Sequence, residues 1–427
     1  MSFEKNFCPS PWFHMRINNS GNYEYCRWAV KGDRQAEPSI RDMTPITWFQ
    51  KNLSSLRQGL LDGTAQPGCA ECQQMELHGK VSGRQRQLLK VGVRVETFQP
   101  AMKSSPWLPI FTASQQDGTT DQIPQDWQID LGNYCNSACL FCMPEYSSRL
   151  AAEHKRLEII DTLPPRAWCD DPELLDKFTQ VLKDSPSLAY LHFIGGETLI
   201  TPAFEKILTA LIDNNLHHRV SIGFTVNLTV WRQEIVDLLV QFKQINLGMS
   251  IECLHPVNDY ARYGGKLDKT QQIMEQWISV AKAHEWVISL RTTPTILTVL
   301  HLDTIYHYAR KNNIAVESCN FLASPAFMRP TVLPAEYRDA VIQRLEKFVA
   351  HETVEQDQVI NTRNPHKISS QLIQDAKSYI DYLKTAADES HRLPELVAYL
   401  KRMESSRKNS VLDYLPEYEE LFRTAGY

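Results

Sequence analysis

Three features of the 427-residue sequence predict an α/β fold: a partial (β/α)6 barrel of the TIM-like kind, with a cysteine-rich N-terminal module and a C-terminal helical region. Short β-branched and aromatic runs alternate with amphipathic helical patterns from Trp127 to about Ala323. Seven of the ten cysteines fall in two clusters, one of them directly after the first such run. Beyond about Thr331 helical patterns continue without strands. The implied divisions are a cysteine-rich module over residues 1–99, a linker over 100–125, a barrel over 126–325 and a helical extension over 326–427.

The strands expected are "WQIDL" (127–131), "AYLHFIG" (189–195), "VSIGFTV" (220–226), "INLGMSI" (245–251), "WVISLRT" (286–292) and "IAVESCNF" (314–321). Between them "PELLDKFTQVLKD", "TPAFEKILTALIDNN", "WRQEIVDLLVQFK", "LDKTQQIMEQWISVAKAH" and "LDTIYHYARKNN" repeat apolar residues every three or four positions, as one buried helix face demands. Strands that alternate with helices run parallel through right-handed crossovers. Barrels of this kind place their chemistry on loops leaving the C-terminal strand ends. Ahead of the barrel, the Pro/Ser/Gln-rich stretch "QPAMKSSPWLPIFTASQQDGTTDQIPQ" reads as a linker, and the helical tail as a cap or partner surface.

A net charge of -5 and a pI near 6.2 offer no global basic field, so nucleic acid is not the expected partner. The basic run "GKVSGRQRQLLKVGVR" (79–94) reads as a solvated helix face. No apolar stretch approaches the roughly 18–20 residues of a membrane helix, and "MSFEKNFCPSPW" lacks a signal-peptide pattern, so a cytoplasmic protein is expected. In a reducing compartment, clustered thiols point to metal or redox chemistry rather than disulfides.

The loop "NYCNSACLFCM" carries Cys135, Cys139 and Cys142 after the first barrel strand. Four thiolates ordinarily hold a four-iron cubane, so three on one loop leave an iron open to another ligand; a zinc knuckle or three unrelated thiols are the simpler alternatives. Cys-x3-Cys-x2-Cys with Phe141 before the last cysteine resembles the signature of radical S-adenosylmethionine (radical SAM) enzymes. The resemblance spans residues 127 to about 323. It implies a 4Fe-4S cluster on Cys135, Cys139 and Cys142 that binds S-adenosylmethionine and cleaves it reductively to methionine and a 5'-deoxyadenosyl radical. That radical abstracts hydrogen from a substrate. It also implies that Phe141 packs against the adenine and that Gly195, Gly196 and Glu197 of "IGGET" receive the methionyl amino group. Ser250 and Glu252 of "MSIECL" would line the ribose side, Glu252 standing where aspartate is usual. Arg262 of "YARYGG" would pair with the cofactor carboxylate. Asn227 resembles a Thr-Asn element, with Leu228 where glycine is usual.

A second set, Cys8, Cys26, Cys69 and Cys72, is built from "FCPSPWFHMRINNSGNYEYC", with a hairpin turning at "NNSGN", and from the Cys-x2-Cys of "PGCAECQQME". Four thiolates suit a structural zinc or a fully ligated cluster. The pattern is similar to the auxiliary-cluster module of SPASM and twitch radical SAM proteins, placed here before the barrel, with Arg27 where many relatives have a further cysteine. The resemblance implies an auxiliary 4Fe-4S cluster, a reducing partner such as flavodoxin or ferredoxin, and a ribosomal peptide or protein as substrate. The alternatives are a nucleotide or nucleic-acid modifying radical SAM enzyme and a non-catalytic iron-sulfur protein. Cys169, Cys253 and Cys319 read first as core thiols, and His192, His255 and His284 lack paired metal spacing.

Overall fold

The computed structural model describes residues 4–26, 29, 38–77, 79, 81–95, 106–114, 116–319, 321–358 and 365–427; Arg27 and part of the expected linker lie outside them. The described strands are, in chain order, β1 (His14–Ile17), β2 (Tyr23–Glu24), β3 (Asp126–Asp130), β4 (Ala138–Cys139), β5 (Tyr190–Ile194), β6 (Ser221–Val226), β7 (Ile245–Ser250), β8 (Arg262–Tyr263), β9 (Val287–Thr292) and β10 (Ala315–Cys319). The six strands expected from sequence are β3, β5, β6, β7, β9 and β10. The fold is mixed α/β with a mostly parallel sheet, as the alternation requires. The chain divides into two compact units, residues 1–132, 165–223 and 234–245, and residues 133–164, 224–233 and 246–427, with the boundary passing through β6.

In the first unit the strand order is β2-β1-β3-β5-β6. β1 and β2 form the expected hairpin, but β1 also pairs in parallel with β3, His14 opposite Asp126 through Ile17 opposite Ile129. β3 then pairs in parallel with β5. The N-terminal hairpin therefore extends the sheet of its unit, which sequence did not show. Helices Pro172–Lys183 and Pro202–Asp213 cover the sheet through Phe178, whose ring lies 6.3 Å from Trp127, and Phe204, 5.1 Å from Phe193. Asp171 starts the first of these by accepting the Glu173 and Leu174 amides.

Part of the segment read as linker is helical, Leu108–Ala113, and its Phe111 lies edge-on to Phe7 and Trp12, at 5.3 Å from each, in a core of its own. The fully buried Arg57 binds the Pro11 and Phe49 carbonyls at 2.9 and 2.6 Å, holding two chain segments together. The basic run of 79–94 is not a free stripe. Ser82 caps helix Gly83–Lys90, Arg84 is buried against Glu76, and Lys90 reaches Asp126 at 2.8 Å.

In the second unit the order is β6-β7-β9-β10, with β7, β9 and β10 parallel, and β4 and β8 form a two-residue antiparallel ribbon. Helices Leu267–Ala283 and Asp303–Asn312 follow the predicted spans, and the tail consists of Ala335–Gln358, Pro365–Thr385, Leu393–Arg407 and the short Glu419–Thr424. Among the described residues no helix is long and apolar enough to cross a membrane.

The rings of His255 and His301 stack here at 3.7 Å, and the buried His301 Nε2 has no hydrogen-bond partner among the described residues. Burial first, then the neighbouring His255 and Arg344, lower His301 from 6.5 to about 4, with Glu417 and Asp303 opposing. The unfolded chain therefore binds this proton where the folded chain does not. Stability is expected to fall as pH drops from 6.5 towards about 4. Urea midpoints at pH 7 and pH 5 check this, and His301→Gln should flatten the difference; an equal pH dependence in the variant would refute the assignment.

Candidate functional site

Cys135, Cys139 and Cys142 lie together in the second unit, each half-buried, on a loop held at both ends. Cys139 pairs with Arg262 across the β4–β8 ribbon, and the Leu140 amide donates to the Ala261 carbonyl at 2.8 Å. Ser148 accepts the Cys135 amide at 3.2 Å, and Ser147 donates to the Ser137 carbonyl at 2.6 Å while capping helix Ser148–Arg156. Sequence alone gave no sign of this helix start, although Ser147 is a good capping residue.

The three thiols are near enough to act on one another: burial, then Cys139 and Cys135, raise the Cys142 thiol. Burial also raises Cys139, opposed by the guanidinium of Arg262 and, more weakly, that of Arg407. The Ser137 amide donates to the Cys135 sulfur at 3.4 Å, and the Asn227 amide nitrogen lies 3.9 Å from it. Converging thiols, N–H donors aimed at sulfur and cations alongside form a donor set suited to an anionic thiolate-bound cluster, whose irons would displace the thiol protons. Among the described residues, no group of three or more His, Cys, Asp and Glu side chains is arranged to hold a single metal ion.

Asn227 does more than its motif suggested. Its Nδ2 donates to Asn136 Oδ1 at 2.9 Å and Ser137 Oγ at 3.1 Å, and its Oδ1 accepts from Thr229. The buried Leu228 that follows has φ +62°, a left-handed conformation that a leucine adopts at some cost in strain.

Glu252 and Arg262 are both buried and form an ion pair at 2.7 Å, with Glu252 also accepting from the Thr293 amide at 2.5 Å and from Thr292 Oγ1 at 3.1 Å. Burial works against the Arg262 charge, but Cys139 and Glu252 more than offset it. Ser250, at the end of β7, and Phe141 are half-buried.

Gly195, Gly196 and Glu197 belong to the first unit. Gly195 has φ +99°, and a Cβ there would sit 2.5 Å from the Gly132 carbonyl oxygen, so only glycine fits. The buried Glu197 accepts the Leu199 amide at 3.1 Å, capping the turn that follows β5.

The structure also brings Cys8, Cys26, Cys69 and Cys72 around one cavity of the first unit, with His14 and Arg84 in its wall. Burial, then Cys26, push the Cys8 thiol well up, with Cys69 and Cys72 adding to the effect. The backbone at Ser10 opposes this rise at Cys8, and the backbone at Arg84 opposes the rise that burial causes at Cys72. Of the remaining thiols, Cys169 and Cys253 are buried, and burial raises Cys169 to about 12, so both are core residues. The Cys319 side chain lies outside the described residues.

Residues 129–296 match the family model described as the Radical SAM superfamily, so this part of the chain is a Radical SAM superfamily domain. An uncharacterized protein of Methanothermobacter thermautotrophicus is 24% identical over 168 residues, 38% of this chain and 62% of its own length. Among solved structures, anSMEcpe with bound AdoMet is 14% identical, covering 54% of this chain and 61% of that one, with a TM-score of 0.38. SuiB of Streptococcus suis bound to S-adenosylmethionine is 14% identical, covering 55% and 45%, with a TM-score of 0.34. The chain thus spans less than two thirds of the length of each.

Proposed function

We propose that this chain, through its Radical SAM superfamily domain over residues 129–296, cleaves S-adenosylmethionine reductively to start hydrogen abstraction from a substrate, with a ribosomal peptide or protein as the class favoured. The convergence of Cys135, Cys139 and Cys142 on one pinned loop within that domain carries the reading. These three residues would hold a 4Fe-4S cluster. When bound, the cluster and S-adenosylmethionine supply a reductant's electron and a primary carbon radical.

The chain's own part is to hold, orient and shield. Asn227 and Asn136 fix the loop. Glu252 orients Arg262 beside Cys139, so that its positive charge faces the thiolates. Phe141 and Ser250 are the residues we assign to the nucleoside, and the Gly195-Gly196-Glu197 turn to the amino acid moiety. Anaerobic reconstitution followed by dithionite and S-adenosylmethionine tests the activity: 5'-deoxyadenosine should accumulate, and its absence from iron-loaded protein would favour a non-catalytic iron-sulfur protein.

We assign an auxiliary 4Fe-4S cluster to Cys8, Cys26, Cys69 and Cys72 because all four line one cavity. A reductant such as flavodoxin or ferredoxin completes the reading. Cys72→Ala is expected to lose about half of the bound iron while the loop cluster's electron paramagnetic resonance signal persists. Unchanged iron would refute the auxiliary assignment, and one equivalent of zinc in the wild type would replace it.

A further inference from the structure

We propose that Arg407, at the end of helix Leu393–Arg407, is a positioning residue for the three-thiol loop, fixing its backbone and setting a permanent positive charge beside Cys139. The inference deepens the radical SAM reading and rests on it. It gives the C-terminal helical region a task that none of the cofactor motifs requires.

The geometry is specific, and all of it lies within the second unit. The side chain of Arg407 is 1% exposed. Its Nη2 donates to the Ala138 carbonyl, the residue before Cys139, at 2.7 Å. The same nitrogen and Nε form a fork with Glu153 at 2.7–3.3 Å, on the helix that leaves the cysteine loop. The guanidinium lies 4.3 Å from the centre of the Tyr263 ring, and Tyr263 is the β8 residue that pairs with Ala138.

Eight residues earlier on the same helix face, Tyr399 donates to the Leu140 carbonyl at 3.1 Å. One helix therefore grips the carbonyls on both sides of Cys139.

The remaining nitrogen, Nη1, is buried with no hydrogen-bond partner among the described residues. Leaving a charged donor unpaired in the interior costs free energy, so such a group signals an acceptor that completes the site. The bond to the Ala138 carbonyl places this guanidinium next to Cys139, and the acceptor chemistry there would be thiolate or cluster sulfur. A fixed cation there favours the more negative, reduced state and so raises the reduction potential.

A merely structural role would be to neutralise Glu153. The double variant Arg407→Met with Glu153→Gln separates the two, because it leaves no unpaired buried carboxylate. In full-length protein reconstituted anaerobically, it should keep its far-UV circular dichroism and the iron of the four-cysteine site. It should hold the loop cluster about tenfold or more weakly, and the midpoint potential of the signal that responds to S-adenosylmethionine should move negative.

Tyr399→Phe should weaken iron retention without moving that potential. Should the double variant fail to fold, Arg407→Lys decides: it keeps a charge opposite Glu153 but loses the fork, so iron retention should fall while the potential stays close to wild type. Wild-type iron retention and potential in a folded double variant, or wild-type iron retention in Arg407→Lys, would overturn the role of Arg407 alone. A wild-type protein that takes up no loop cluster would overturn the radical SAM reading together with it.

Discussion

Cys139→Ala protein is expected to form no 5'-deoxyadenosine and to lose loop-cluster iron while remaining folded. The middle cysteine is the decisive one, because its neighbours are gripped from two sides. β8 pairs with β4, and the Arg407 and Tyr399 side chains bind the Ala138 and Leu140 carbonyls. None of these contacts uses the Cys139 sulfur. Replacing it with a methyl group removes one of three thiolates and leaves the backbone bonds in place. A half-buried thiol lost from the loop costs little, so the unfolding free energy measured in urea should stay within about 0.5 kcal/mol of wild type. Two thiolates with an alanine between them no longer hold a cubane in a defined position, which makes the activity loss complete rather than partial. Retained cleavage of S-adenosylmethionine by this variant would remove the basis of the functional reading.

The barrel strands were legible because each is a short β-branched or aromatic run, and the Pro172–Lys183 helix because its apolar residues repeat every three or four positions behind a capping aspartate. The β1 segment "HMRI" has no such signal. It becomes a strand because β3 offers it a free edge, and its pairing is tertiary. The helix Leu108–Ala113 was hidden in the same way, among prolines and serines that read as linker, until Phe111 found Trp12.

At the site, the cysteine spacing announced the donor set, but the partners of each residue did not follow from it. Glu252 and Arg262 were expected to face a ligand, and in the structure they first face each other. The choice depends on the segment 251–261, with helix Val257–Ala261, which returns Arg262 to Glu252 and which no local pattern encodes. Leu228 is the instructive case. A leucine where glycine is usual weakens the motif in sequence, and the backbone at this leucine is left-handed, at φ +62°, which no local pattern announces.

Arg16→Ala is the substitution from which we expect the largest loss of stability. Arg16, on β1, donates through Nε to both oxygens of Asp130 at 3.1 Å and through Nη2 to the same carboxylate, while Nη1 reaches Glu24 on β2 at 2.9 Å. Asp130 is fully buried and Glu24 is 8% exposed. Removing the guanidinium strands two carboxylates in the interior, where an uncompensated charge costs about 3–5 kcal/mol, a large part of the roughly 5–15 kcal/mol that holds a domain folded.

Gln128 at 3.2 Å from Asp130 and Asn18 at 2.8 Å from Glu24 soften the loss without supplying charge. Arg16→Lys should recover only part of it, since an ammonium cannot reproduce the fork that bridges two carboxylates on different strands. Arg16→Met combined with Asp130→Asn and Glu24→Gln should recover most of it, because the penalty comes from leaving charges unpaired rather than from losing attraction. Urea unfolding of the three proteins distinguishes these cases. A single Arg16→Ala loss below about 1 kcal/mol would mean that water reaches the carboxylates and that the network does not hold the N-terminal hairpin to β3.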